Sequence, residues 1–348
     1  MSAGVISLLY PTERQTDFLR ACLWSGAESQ AAWQRWQETV GDIRRALTMP
    51  DSGSKALLAL LHDAVRRNDL AVDASTRSLL MVARLADERR TRTYEEVCGR
   101  AFSALSSASI PFLVLKGIAL GDTVYPEAAL RHSHDIDVLV HPHDTDRSAA
   151  AVGNAGFIAA PSHNGPLRFI DACELPLELH VGVCRLRHST VPLAEIWGRS
   201  IRARIGAGQV PTLGRADHLV HVLCQASCSG SRDTLTWVCD AWYLISRTAE
   251  LDWDVILHTA TPGAAALLLA GLLEFLAVHL RAPVPGFVLD GLSAAARSAD
   301  RAAYEAILGG IRAGRRGRLR SMFRHARTNR ERAAVLRWTL REVIRNHR

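Results

Sequence analysis

The sequence predicts an α+β fold in which a small strand-bearing block lies between two helical regions. Two observations carry this. From about residue 12 to residue 108, and again from about Val191, apolar residues recur at three- and four-residue spacing, the period of a helix face. Between them, from Ile110-Pro111 onward, the apolar runs become short and are bounded by Pro, Gly or charged residues, which reads as strands. The expected division is a helical region over 1–108, a core over 109–190 and a second helical region over 191–348.

Taken in order, Trp33, Trp36, Val40, Ile43 and Leu47 form the first helical stripe, and Leu57, Leu58, Leu60, Leu61 and Val65 the second. Stripes at 79–85 and 97–105 follow, with breaks expected at 49–53 and 69–73. Residues 112–115 read as a buried strand, 117–124 as a helix closed by Tyr125-Pro126, and 135–140 as the next strand. Asp144 or Thr145 is placed to cap a helix reaching about Ala155. Strands are expected at 156–159, 167–171 and 175–183. The remainder reads as mostly helical, with helices at 216–228, 234–246, 264–280, 302–311 and 329–344 and no internal repeat.

With 348 residues, 48% of them apolar, the chain can bury a sizeable core. A net charge of +7 suits a polyanionic partner without requiring nucleic acid. Seven cysteines in no zinc spacing suggest reduced thiols and a cytoplasmic setting. The N-terminus lacks the basic segment of a signal peptide. The Ala/Leu-rich stretch 264–280 is interrupted by Glu274 and His279 and reads as a buried helix, not a membrane span.

The chemistry concentrates around one strand. Asp135 and Asp137 stand at i and i+2 inside an apolar run, so a strand puts both carboxylates on one face. Such a pair repels itself unless a cation lies between, and hard oxygen ligands point to Mg²⁺, with Mn²⁺ as the alternative ion. Neutralising one of them, as in Asp137→Asn, should on this reading stabilise the metal-free protein. Glu178 and His180 share a face by the same spacing and join the cluster if their strand is the neighbour; Pro176 argues instead for an edge strand. Lys116 is one of only two lysines among 42 Lys+Arg and stands before Gly117 at a strand end, a common arrangement for holding phosphate. Arg131 can fork onto a phosphate or be a solvated loop arginine. His132, His134, His141 and His143 flank the strand on both sides and supply no closed zinc set.

Together Leu115-Lys116-Gly117, Tyr125-Pro126, Arg131, Asp135-Ile-Asp137-Val-Leu-Val and Glu178-Leu-His180 resemble the uncharacterised bacterial nucleotidyltransferase-like family of the DNA polymerase beta superfamily. Trp237-Val-Cys-Asp240 resembles that family's helical Trp-x-x-Asp segment, and the resemblance spans roughly residues 80–250. It departs at Val181, where the family usually has Trp, and at Lys116-Gly117-Ile118, where the superfamily generally has Gly-Ser or Gly-Gly. The resemblance implies a small mixed sheet flanked by helices. It implies metal carboxylates at Asp135, Asp137 and Glu178, and nucleotide contacts at Lys116, Gly117, Arg131, His180 and Asp240. Glu178 then serves as metal ligand or as base, and Trp237 with Asp240 either closes the site or packs helices.

The activity so implied is Mg²⁺-dependent transfer of a nucleoside monophosphate from an NTP to a hydroxyl acceptor, with release of pyrophosphate. The acceptor, whether small molecule, peptide, protein or RNA, is not legible. The residues from Arg312 onward hold 13 arginines, as a polyanion contact or as a solvated basic tail. The rival reading is a catalytically inactive nucleotide- or RNA-binding scaffold that keeps the fold.

Overall fold

The structure is a computed structural model and describes residues 9–48, 53–161, 166–183, 192–206, 208–227, 235–260 and 265–298. The helices expected over 302–311 and 329–344 and the arginine-rich stretch after Arg312 lie outside these residues.

The N-terminal region folds as α1 (Glu13–Leu23), α2 (Gly26–Thr39), α3 (Ile43–Thr48), α4 (Leu58–Asn68) and α5 (Ala74–Ser107). A capping box starts α1: the Thr12 hydroxyl accepts from the Gln15 amide while the Gln15 side chain accepts from the Thr12 amide. Asp73 caps α5 by accepting from the Thr76 amide at 2.6 Å. The stripes at 79–85 and 97–105 belong to this single helix of 34 residues. The polar stretch that separates them, around Asp87, faces the loop at His132 and so needs no apolar stripe.

The sheet begins with β1 (Phe112–Val114), followed by α6 (Lys116–Thr123), β2 (Ile136–Val140) and α7 (Thr145–Asn154). β3 (Ile158–Ala160), β4 (Leu167–Ile170) and β5 (Pro176–His180) come next, then α8 (Leu193–Gly198), β6 (Ile201–Ile205) and β7 (Gly208–Thr212). The seven strands run in the order β3-β4-β5-β2-β1-β7-β6. Two pairings, β2 with β5 and β1 with β7, are parallel, and the other four are antiparallel. The mixed α+β architecture is the one expected. β5 is an interior strand between β4 and β2, and its Pro176 stands at the first residue, where a missing amide is tolerated.

The mostly helical stretch expected after Val191 also contains two strands that were not expected, because β6 and β7 extend the sheet beyond residue 190. Each is only five residues long, and Pro211 interrupts the apolar pattern of β7. The alternation of Ile201, Ala203 and Ile205 with Arg202 and Arg204 is the signal that marks β6. β7 is anchored on β1 by the Thr212 hydroxyl, which donates to the Val114 carbonyl at 2.5 Å.

The two faces of the sheet differ. Phe112, Val114, Ile136, Val138, Val140, Leu177 and Leu179 point to one side and join Val97, Ala101, Phe102 and Leu105 of α5 in one core. The opposite face carries a smaller cluster of Leu113, Leu115, Leu139, Val183, Ile196 and Leu213. By strand alternation this second face also receives Asp137, Glu178 and His180.

The chain closes with α9 (Arg215–Ala226), α10 (Thr236–Arg247), α11 (Trp253–Ala260), α12 (Ala265–Leu280) and α13 (Gly286–Ser298). These share a single apolar core with α1–α4: Phe18, Trp33 and Leu61 belong to the same cluster as Leu223, Leu244 and Leu272. Hydrogen bonds cross the same seam, from Trp24 Nε1 to the Leu280 carbonyl at 3.1 Å and from Arg20 Nε to the His279 carbonyl at 2.9 Å. No helix among the described residues is long and apolar enough to cross a membrane.

Candidate active site

β2 organises the site. It lies between β1 and β5, and all five of its residues are buried. In the parallel pairing with β5, Asp137 stands opposite Glu178 and Leu139 opposite His180. The ligand-capable atoms of Asp137, Glu178 and His180 consequently all lie within 4.8 Å of one another. Asp135 sits one residue before β2 and is half-buried.

Lys116 reaches this cluster because of how β1 ends. The Leu115 amide still donates to the Asp137 carbonyl at 2.9 Å, so the chain leaves the sheet beside Asp137. Gly117 then takes φ 48° and ψ −116°, a combination that side chains with a Cβ rarely adopt. The resulting kink leaves Lys116 Nζ 3.0 Å from Asp137 Oδ2 and 4.0 Å from Asp135 Oδ2. On the other side, His180 Nε2 donates to Asp137 Oδ1 at 2.7 Å and lies 3.6 Å from Glu178 Oε2.

The cation that two neighbouring carboxylates require is thus a lysine of the chain itself. Burial opposes the Lys116 charge, but Asp137 and Asp135 outweigh it and hold the amine above its ordinary pKa. For Asp137, burial alone favours the neutral acid. The Lys116 charge and the His180 hydrogen bond overcome it and keep the carboxyl well below the usual range. Asp135 goes the other way: burial and then the Asp137 charge raise it, and Lys116 offsets only part of that.

The expected sign for Asp137→Asn is therefore reversed, since removing that charge leaves a partly buried lysine without its nearest carboxylate. Asp135 is the residue whose neutralisation brings relief. Its raised pKa means that stability is present below the ordinary carboxylate range and is lost as pH rises through the folded value. Asp135→Asn is accordingly expected to raise the unfolding midpoint at neutral pH in chelator. A lowered midpoint would show that Asp135 is satisfied as an anion.

A divalent ion suits this donor set. Asp137 Oδ2 is buried and, although 3.0 Å from Lys116 Nζ, receives no well-directed hydrogen bond among the described residues. Asp135 and Glu178 add hard oxygen atoms at the more accessible side, with side chains 32% and 20% exposed. His180, whose Nε2 is engaged by Asp137, supports that carboxylate from behind.

Arg131 and Asp240 are bonded to one another, and the Arg131 charge still acts on Asp135 and Lys116. Arg131 forks onto Asp240, Nε to Oδ1 at 3.2 Å and Nη2 to Oδ2 at 2.8 Å. The Tyr125 hydroxyl donates to Asp240 Oδ1 at 2.7 Å. This buried trio joins the loop before β2 to α10, and the Tyr-Pro and Trp-x-x-Asp segments meet there. Tyr125 was legible only as a turn residue; its hydroxyl gains a role only through contact with α10.

The four flanking histidines form no common site. His132 and His134 meet edge to face at 4.6 Å, while His141 stacks on Trp197 at 4.1 Å. His132 Nδ1 instead pairs with Asp87 Oδ1 at 2.6 Å, across 45 residues of sequence. No spacing rule signals that contact.

No curated protein matches the chain. A family model described as "uncharacterised nucleotidyltransferase" matches residues 52–280, which include the sheet, the cluster around Asp137 and the helices that meet it. The chain belongs to this uncharacterised nucleotidyltransferase family.

Proposed function

We propose that the chain is a divalent-metal-dependent nucleotidyltransferase that moves a nucleoside monophosphate from an NTP to an acceptor hydroxyl and releases pyrophosphate. The observation that carries this is the in-register pairing of Asp137 with Glu178, flanked by Asp135, Lys116 and His180. Asp135, Asp137 and Glu178 would hold the ion, Mg²⁺ or Mn²⁺. When bound, the ion supplies Lewis-acid chemistry, neutralising charge on the phosphates and acidifying the acceptor hydroxyl.

The chain's own residues do the rest by position and charge. Lys116 keeps its proton at neutral pH and presents 24% of its side chain to solvent, so it binds a phosphate oxygen as a fixed cation at the mouth of the cluster. Gly117 sets the direction of that lysine through its kink. His180 donates to Asp137 Oδ1 and keeps the carboxylate ionised and oriented. Glu178, directly across the ladder, is placed to hold the ion or to take the proton from the acceptor hydroxyl. Arg131 and Asp240 act at one remove, by fixing the loop that leads into β2.

The test is Mg²⁺-dependent release of pyrophosphate by the full chain from each labelled NTP in the presence of host lysate, with the labelled product identified. Release that needs both metal and lysate supports transfer. Tight nucleotide binding with no release favours the second reading, a nucleotide-binding scaffold. One observation speaks for that reading: Lys116 Nζ already stands 3.0 Å from Asp137 Oδ2 as its counter-charge without any ion.

Lys116→Ala is expected to weaken binding of a non-hydrolysable NTP by about 1–3 kcal/mol, the value of a charge-assisted hydrogen bond. Lys116→Arg should recover only part, because the planar fork is larger and differently directed. Calorimetry on both variants decides this, and wild-type affinity in the alanine variant would remove Lys116 from the nucleotide site.

A further inference from the structure

Next to the carboxylate cluster, and not lined by it, a cavity of about 510 Å³ opens between the start of α4, α5 and the loop before β2. That volume falls in the range of small-molecule sites. Its lining includes Lys55, Arg90, His132 and His134. Ala56, Leu58 and Ala83 are among its apolar lining residues.

The charges are unevenly placed. Lys55, the other of the two lysines in the chain, is exposed and makes no ion pair among the described residues. Arg90 keeps 42% of its side chain exposed and lies a loose 4.0 Å from Asp87. Asp87 is the one acid of the lining among the described residues, and its buried carboxylate is engaged by His132 Nδ1 at 2.6 Å. The lining therefore holds two cations, an acid that is already partnered, and apolar residues. Such a cavity favours an anion attached to an apolar body. It also adjoins the chemistry by covalent connection, because His134 in its lining is followed directly by Asp135.

We propose that this cavity binds a small molecule with an apolar body and an anionic end, a phosphate or a carboxylate, with the anion at Lys55 and Arg90, and that it is the acceptor side of the transfer. The binding claim stands on the cavity alone; the acceptor role rests on the nucleotidyltransferase reading. His132, on the loop that leads to Asp135, is held in the lining by its contact with Asp87.

The binding claim is tested on the full chain, without nucleotide or added metal, by calorimetry with phenyl phosphate against phenol. Phenyl phosphate is expected to saturate a single site and to bind at least about tenfold more tightly than phenol, the loss of one charge-assisted contact. Lys55→Gln with Arg90→Gln should lose a similar factor while keeping the unfolding midpoint. Ala83→Phe, which enlarges an apolar lining residue without touching charge, should also weaken binding. Equal affinity for phenol, wild-type affinity in the double glutamine variant, or no binding at all would overturn the proposal. For the acceptor role, phenyl phosphate should suppress labelling of the lysate acceptor at the concentrations at which it fills the site. Undiminished labelling at saturation overturns that role. If the wild-type protein labels nothing at all, the transferase reading fails and the acceptor role with it, while the binding result remains decided by the nucleotide-free titration.

Discussion

Asp137→Asn is expected to abolish metal-dependent nucleotide transfer and, in the metal-free protein, to lower stability by about 3 kcal/mol, the low end of the cost of breaking a buried ion pair. Both effects follow from one geometry. Asp137 is 1% exposed and takes Lys116 on one oxygen and His180 on the other. Asparagine keeps the shape and can still accept from His180, but it leaves Lys116 Nζ with only Asp135, a full 4.0 Å away. The quarter of the Lys116 side chain that reaches water holds the cost at the low end. Two measurements check this: pyrophosphate release with Mg²⁺, and denaturant unfolding in chelator. Transfer at the wild-type rate would remove Asp137 from catalysis. Unchanged stability would mean that Lys116 sheds its proton or swings to solvent. A pH series separates those two, since a deprotonated lysine would recover its charge, and reveal the destabilisation, on the acid side.

The second large effect is expected at the ion pair between the loop before β2 and α10. Asp240→Ala should destabilise the protein by about 3–5 kcal/mol, because it leaves the Arg131 guanidinium buried without its carboxylate. The side chains of Arg131 and Asp240 are 9% and 3% exposed, so water has little access to replace the lost partner. The Tyr125 hydroxyl loses its acceptor in the same step. Replacing all three polar partners by apolar residues of similar volume, Arg131→Met, Asp240→Leu and Tyr125→Phe, should recover most of the loss, since no charge then remains stranded. A near-wild-type midpoint in Asp240→Ala would contradict the buried pair. The triple variant carries a second readout: if it folds and still binds an NTP analogue normally, the trio is structural support for the loop into β2. If it folds and binding is lost, Arg131 touches nucleotide after all.

Much of this protein is legible in its sequence because the signals are local. Alternation within five or six residues is enough to put Asp137 apart from Ile136 and Val138, and Glu178 and His180 apart from Leu177 and Leu179. The Lys-Gly pair at a strand end is legible for the same reason, as one residue needs a backbone angle that only glycine takes freely. Helical period likewise depends on neighbours in the chain, and the stripes read over α2 to α5 fall on helices, although the first of them crosses the break between α2 and α3. Where the local signal was short or broken, as in β6 and β7 with Pro211, it failed.

What the tertiary structure alone decided is which residue meets which. The parallel register of β2 and β5 set Asp137 beside Glu178 and His180 as one cluster. The kink at Gly117 returned Lys116 to Asp137 and so inverted the expected consequence of removing that aspartate. Arg131 was drawn to Asp240 across 109 residues, and His132 to Asp87 across 45. The first and last helical regions merged into a single core. The physical reason is common to all of these. A side chain's conformational preference is set within a few residues, whereas its charge and its hydrogen-bonding atoms are satisfied by whatever the folded chain places within a few ångströms. Sequence spacing does not measure that distance.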